Sequence, residues 1–239
     1  MALHEGQNEL ITRVAGLNPK TVIVLVSGSP VEMPWVNDVP AIVQMWYAGM
    51  EGGNAIADVL VGNTNPSGKL PMTFPKVLGD SPAHALGDYN AEVCRYEEGI
   101  FVGYRWFDAR GIEPLFPFGH GLSYSEFELT ALSVETTDEG VRVALALKNT
   151  GARAGAEVVQ VYVGQVACSV ERPLRELKEF AKVALVPGAS KRVQFELPRR
   201  AFAFWSNAKG DWVVEPGQFL LEVGVSSRRI SLSQAIELE

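Results

Sequence analysis

The feature that most constrains what this chain can fold into is a change of hydrophobic period near Tyr124. Before that point, Thr21 to Val26 is an unbroken β-branched and aliphatic run with no polar alternation. Such a run suits a strand covered on both faces in a parallel sheet. After it, short alternating runs recur at Leu129 to Val134, Val141 to Leu147, Val158 to Val163, Leu177 to Leu185, Val193 to Leu197 and Phe219 to Val225. Turn signals separate them at Asp138-Glu139-Gly140, Asn149-Thr150-Gly151, Pro187-Gly188 and Pro216-Gly217. Six or seven short strands spaced in this way predict an antiparallel β-sandwich.

The amino-terminal part follows a different grammar. Leu10, Ile11, Val14 and Leu17 recur at helical spacing over Gln7 to Leu17, and Gly16 with Asn18-Pro19 supplies the stop. The strand at Val22 to Val26 comes next, then a Pro-flanked connection, a second apolar run from Ala41 to Tyr47, and a helix from Glu51 to Leu60. An order of helix, strand, helix, strand, helix predicts an open α/β layer. The stretch from Asn63 to Gly121 is dense in Gly, Pro and aromatic residues and reads as ordered loops. We therefore expect two domains, residues 1–123 and 124–239, as the length of 239 residues allows.

Several functions are disfavoured by what the chain contains. A net charge of -7 without a basic stripe argues against a nucleic-acid partner. The longest apolar run falls far short of the roughly 20 residues a membrane-spanning helix needs. Met1 to Glu9 shows no basic region followed by an apolar stretch, so no signal peptide is expected within it, and localisation stays open. Cys94 and Cys168 lie in different expected domains and predict neither a disulfide framework nor a metal site. Nothing in the sequence calls for a cofactor.

Three blocks carry a stronger signal. The first is Trp46-Tyr47-Ala48-Gly49-Met50-Glu51-Gly52-Gly53, followed by Gly62 to Pro75 with its Asn65-Pro66-Ser67-Gly68-Lys69-Leu70-Pro71 core. The second runs from Tyr96 to Asp108 and on through Pro114 to Tyr124. Together they resemble the α/β sandwich domain of family 3 glycoside hydrolases. The third block, Lys148 to Gly151, Gly155 to Val163, Arg172 to Phe180 and Val186-Pro187-Gly188, resembles the fibronectin type III-like domain that closes many β-glucosidases of that family. The fold class implied is α/β plus all-β: a partial open α/β sandwich domain followed by an antiparallel fibronectin type III-like β-sandwich.

The resemblance also implies an activity and places its chemistry. Family members carry an aspartate nucleophile on an amino-terminal barrel of about 250 residues and an acid/base glutamate on the α/β domain. That glutamate is expected shortly before the stretch that here reads Leu3-His4-Glu5-Gly6-Gln7-Asn8-Glu9-Leu10-Ile11, in which His4 replaces the usual proline. Retaining hydrolysis needs one carboxylate to attack the anomeric carbon and a second, about 5 Å away, to protonate the leaving oxygen. Neither is expected among these residues, so no catalytic residue is assigned. A β-glucoside or oligosaccharide is the substrate expected of the full enzyme, and full-length relatives are expected to be periplasmic or secreted. An α/β layer without its first half should leave a bare face, predicting homodimerisation or association with a barrel-bearing fragment.

Individual residues divide between structure and sugar binding. Trp46, Glu51, Arg105 and Trp106 are the substrate-binding candidates: the aromatics offer flat faces to a sugar ring, and Glu51 and Arg105 offer hydrogen bonds to hydroxyls. Against this, Glu51 suits a helix cap, Arg105 suits a salt bridge with Asp108, and dense aromatics suit a core. Glu97 and Glu98 are adjacent and cannot easily form a working dyad. His120, between two glycines, reads as a structural residue ahead of a general base or metal ligand. Ser27 and Ser29 flank Gly28 without the spacing of a nucleophile elbow. Trp205 and Trp212 are expected to fill the space between the sheets. Two other functions fit the chain less well: a non-catalytic carbohydrate-binding or interaction module, and an unrelated serine esterase-like hydrolase using Ser27 or Ser29 with His120.

Overall fold

The computed structural model describes residues 1–87 and 89–239. They gather into two compact units. The first comprises Met1–Thr64, Thr73–Glu97 and Glu113–Phe116, and the second Asn65–Met72, Glu98–Ile112 and Pro117–Glu239.

In the first unit, helix α1 spans Gln7–Leu17, the span that its periodicity predicts. It stops because Asn18 turns to an extended conformation while its N–H still donates to the Val14 carbonyl. Strand β1 (Val22–Leu25) pairs in parallel with β2 (Ala41–Gln44), Val22 opposite Ala41 and Leu25 opposite Gln44. Helix α2 follows at Gly52–Leu60 and a short helix α3 at Pro82–Ala85. The connection between β1 and β2 is more than a linker, since Val31, Met33 and Trp35 are buried in it. Trp35 is fixed by its indole N–H, which donates to Asn8 Oδ1 of α1 at 2.8 Å.

The expectation that β1 is covered on both faces needs correction. Leu25 is buried, but Val22, Val24 and Val26 are exposed. On α1, Leu10 and Leu17 are 61% and 87% exposed, and only Ala15 is buried. The apolar pattern is that of buried elements, yet most of its side chains face solvent.

The second unit opens with helix α4 (Tyr104–Ala109) and continues into the sandwich. Its strands are β3 (Phe127–Thr137), β4 (Gly140–Asn149), β5 (Gly155–Gln165), β6 (Glu176–Leu185), β7 (Ser190–Pro198), β8 (Phe204–Ser206), β9 (Asp211–Val213), β10 (Gly217–Gly224) and β11 (Ile230–Leu238). One sheet has the order β11-β10-β5-β6 and the other β3-β4-β7, every pairing antiparallel. Alternation sets their faces: in β7, Val193, Phe195 and Leu197 point inward between exposed neighbours. They meet Val159, Val161, Phe219 and Leu221 of the four-stranded sheet in one apolar core. Each fully buried side chain of this size stabilises the fold by about 1.5–3 kcal/mol relative to exposure. A bulge at Ala131–Leu132, with Ala131 at φ 54°, shifts the β3–β4 register.

Strand β5 departs from alternation, because Val159 through Val163 are all buried. The side facing away from the sandwich core is covered by segments that precede residue 124. Tyr104 of α4 meets Tyr162 edge to face at 6.0 Å and stacks on Phe118 at 5.0 Å. Tyr162 donates its hydroxyl proton to Gln160, whose amide donates to the Val225 carbonyl. The turn at 117–121 closes over this layer, and Gly121 is required there: a β-carbon on it would lie 2.2 Å from the Gly68 carbonyl oxygen.

A second expectation fails in the sandwich. Trp205 and Trp212 do not fill the space between the sheets. They face each other across the separate β8–β9 hairpin, 50% and 45% exposed. The inter-sheet space is already occupied by Phe202 and Phe219, in edge contact at 5.3 Å.

Candidate functional site

In the first unit, the candidate residues lie just past the carboxyl end of β2, where open α/β layers place their ligands. The Met45 N–H donates to the Leu25 carbonyl, extending the pairing of the two strands by one bond. The chain then turns sharply. Trp46 has φ 56°, a left-handed value that an aromatic residue adopts at a cost of about 1–3 kcal/mol. Its ring is half-buried and meets Phe74 edge to face at 6.1 Å. Tyr47 and Met50 are exposed. Tyr47 lies over Gly28, where a β-carbon would come within 2.7 Å of the ring.

Glu51 sits at the amino-terminal boundary of α2, but it does not cap the helix as expected: its side chain makes no hydrogen bond to the first turn of backbone. Its carboxylate instead accepts from Asn54 Nδ2 at 2.6 Å, and the residue is exposed. Cap geometry requires an extended Ncap residue, and Glu51, at φ -84° and ψ 6°, is not extended. The carboxylate is thus held in place by one neighbour with its remaining acceptor positions open to solvent.

The other two candidates belong to the second unit. Arg105 does not pair with Asp108 as expected. Its guanidinium reaches Glu176 Oε1 at 3.1 Å. Trp106 is 4% exposed, with the Arg110 guanidinium 4.8 Å from its ring centroid. Structure therefore brings Trp46 and Glu51 to one loop and commits Arg105 and Trp106 to the packing around α4.

That packing contains a network of charges that sequence reasoning missed. Glu176 is shared by Arg105, by Arg172 at 3.3 Å and by Lys178 at 3.3 Å. Burial alone would raise its carboxyl, but Lys178, Arg105 and the hydrogen bonds from Lys178 and Arg172 together hold it below the usual range. Asp108 accepts from Arg228 Nε at 2.9 Å and lies 3.6 Å from Arg175, which also reaches Glu222 at 3.3 Å. Burial outweighs those guanidiniums and pushes Asp108 and Glu222 above their usual values. The detectable signal was the charge density of Arg172-Pro173-Leu174-Arg175-Glu176-Leu177-Lys178 at the start of a strand. Isolated charges are rarely buried without partners.

His120 is part of a clasp. Leu70 N–H donates to its carbonyl, and Gly119 N–H donates to the Leu70 carbonyl, each at 2.8 Å. Lys69 Nζ donates to the Gly121 carbonyl at 2.9 Å and pairs with Glu157 at 2.7 Å. Burial, then Lys69 and Arg229, push the imidazole below its ordinary 6.5. Among the described residues no cluster of His, Cys, Asp and Glu could hold a metal ion. Ser27 is committed to its turn: its hydroxyl donates to the Ser29 carbonyl at 2.9 Å and accepts from Gln44 at 3.1 Å. The acids Asp108, Glu157, Glu176 and Glu222 are each engaged by a cation.

The fold and these loops define an α/β layer followed in the chain by a fibronectin type III-like sandwich. Residues 1–124 match the glycosyl hydrolase family 3 C-terminal domain, and residues 157–227 match the fibronectin type III-like domain. The chain belongs to glycoside hydrolase family 3. It is 47% identical over 242 residues to thermostable beta-glucosidase B of Acetivibrio thermocellus, covering 100% of this chain and 32% of that protein. A beta-glucosidase of Rhizobium radiobacter is 44% identical, with 100% and 30% covered. The crystal structure of beta-glucosidase from Kluyveromyces marxianus in complex with glucose superposes with a TM-score of 0.96 at 44% identity, covering 100% of this chain and 29% of that one. The chain thus spans about a third of the length of the relatives it matches.

Proposed function

We propose that this chain is the carboxy-terminal part of a β-glucosidase-type enzyme that hydrolyses β-glucosides with retention, and that it carries no hydrolysis by itself. The observation that carries the reading is the match to β-glucosidases along the whole chain at about a third of their length. In the full enzyme, Trp46 and Glu51 form part of the sugar-facing surface. Backbone strain at Trp46 and the solvent-facing acceptor oxygens of Glu51 support that role. Arg105 and Trp106 contribute from the second unit by fixing α4, with direct sugar contact the weaker assignment for both. Incubation of the purified chain with an aryl β-glucoside tests the reading. No turnover above the blank is the expected result. Robust turnover abolished by one substitution within the chain would overturn it.

The bare apolar face of α1 and β1 supports a further part of this reading, association with a barrel-bearing fragment or with a second copy. Leu10, Val14 and Leu17 on the helix, Val22 and Val24 on the strand and Val26 just after it carry a buried-type pattern without burial. A monodisperse monomer at high concentration by light scattering, with no complex on addition of a barrel fragment, would contradict it.

A further inference from the structure

The second unit carries an aromatic and cationic groove built from none of the residues the glycosidase reading uses. The turn Arg199–Phe202 anchors itself by burying Phe202, which leaves Arg199 and Arg200 on the surface. The β8–β9 hairpin then sets Trp205 opposite Trp212, their rings 5.8 Å apart at 71°. The Arg200 guanidinium lies 4.2 Å from the Trp212 ring centroid. Arg199, Arg200, Ala203, Trp212 and Val214 line a cavity of about 350 Å³, enough for one sugar ring.

The Arg200 guanidinium has no carboxylate partner: among the described residues it takes part in no salt bridge, while Arg199 Nη2 donates to the Glu239 main-chain oxygen and the Arg199 backbone N–H to the Glu139 carbonyl. The nearby acids are turned to other partners: Asp211 accepts from the Trp212 N–H at 2.7 Å, and Glu215 accepts from the backbone and hydroxyl of Ser169. Indole rings stack on the C–H faces of pyranoses, and a guanidinium on such a ring is oriented to fork a carboxylate.

We propose that this groove binds an acidic saccharide, a uronate ring stacking against Trp212 with its carboxylate on Arg200. The site tethers the protein to an anionic polysaccharide, separately from hydrolysis. The net charge of -7 makes general adsorption to a polyanion unfavourable, so saturable binding would report the local groove and not the overall charge.

The test is isothermal titration of the full chain with trigalacturonate, and affinity electrophoresis in polygalacturonate, at about 0.15 M salt, where distant charges are screened. Saturable binding is expected, weakened at least tenfold, or about 1.4 kcal/mol, by Trp212→Ala and by Arg200→Gln. Trp212→Phe and Arg200→Lys retain part of it, and unchanged melting curves show that the variants fold. Neutral cello-oligosaccharides of equal length bind more weakly. No binding by the parent chain, equal binding of neutral and acidic oligosaccharides, equal retardation by a sulfated polymer, or insensitivity to both substitutions would each overturn the proposal. The readout is binding without turnover, so its failure is distinguishable from failure of the β-glucosidase reading.

Discussion

Asp108 holds Arg228 Nε at 2.9 Å while only 4% of its own side chain is exposed, which ties helix α4 to the connection between β10 and β11. Arg228 adds hydrogen bonds from Nη2 to the Phe107 and Ile112 carbonyls at 3.3 and 3.1 Å. The segment from Glu98 to Ile112 therefore owes its place to a guanidinium donated by the sandwich. Replacing Asp108 with Ala strands Arg228 and Arg175 without their shared carboxylate. We expect a loss on the order of 3 kcal/mol, read from the urea midpoint, since one partner of a largely buried pair is removed. A loss below 0.5 kcal/mol would show that the pair does not hold α4.

Two acids of the second unit respond to pH with opposite signs. Glu222 is raised above its ordinary 4.5 in the folded chain, so in the window above 4.5 the folded state binds more protons than the unfolded state. The stability of the parent relative to Glu222→Gln is then greatest below 4.5 and falls as pH rises through the raised value. Glu176 is held below 4.5, so its advantage over Glu176→Gln is present above 4.5 and is lost as pH falls through the lowered value. Urea midpoints for the three proteins between about pH 3 and 7 should give difference curves of opposite slope. Parallel slopes would refute the assignment.

Much of the architecture could be read from the sequence, for identifiable reasons. Helix α1 was legible to the residue because its apolar period and its Asn18-Pro19 stop agree. Strand β7 was legible because one of its faces is wet and the other buried. Strand β11 was missed because Ser, Gln and Glu dilute its alternation, although Leu232, Ile236 and Leu238 still pack inward. Trp205 and Trp212 were misplaced because composition alone does not say that Phe202 and Phe219 already occupy the core. Among the candidate site residues, the loop from Trp46 to Glu51 could be located from its position after a strand. The partner of Arg105 could not, since Glu176 is distant in sequence and only the fold brings the two together.

The turn that closes over β5 gives a steric prediction. A methyl at residue 121 would overlap the Gly68 carbonyl oxygen at 2.2 Å, a backbone atom that cannot swing aside as the Lys69 side chain beside it can. Gly121→Ala should therefore shift the clasp formed by Leu70 and Gly119 and cost about 2 kcal/mol, as overpacking does. Thermal melting measures the loss. Hydrogen exchange should locate it, with faster exchange at Leu70 and Gly119 and little change at Val143 or Phe195 in the other sheet.

The apolar face of the first unit separates association from stability. Leu10 and Leu17 are exposed on α1, so replacing both with Gln removes little burial and should change the unfolding midpoint by no more than about 0.5 kcal/mol. If the same side chains drive association, the double substitution should lower the weight-average mass of the chain at high concentration toward that of a monomer. Ala15, which is buried on the same helix, supplies the contrast: Ala15→Gln should destabilise the first unit. Light scattering and urea unfolding on the same samples distinguish the outcomes. Association that persists in the Leu10→Gln, Leu17→Gln protein would assign it to a different surface and leave this face without a partner.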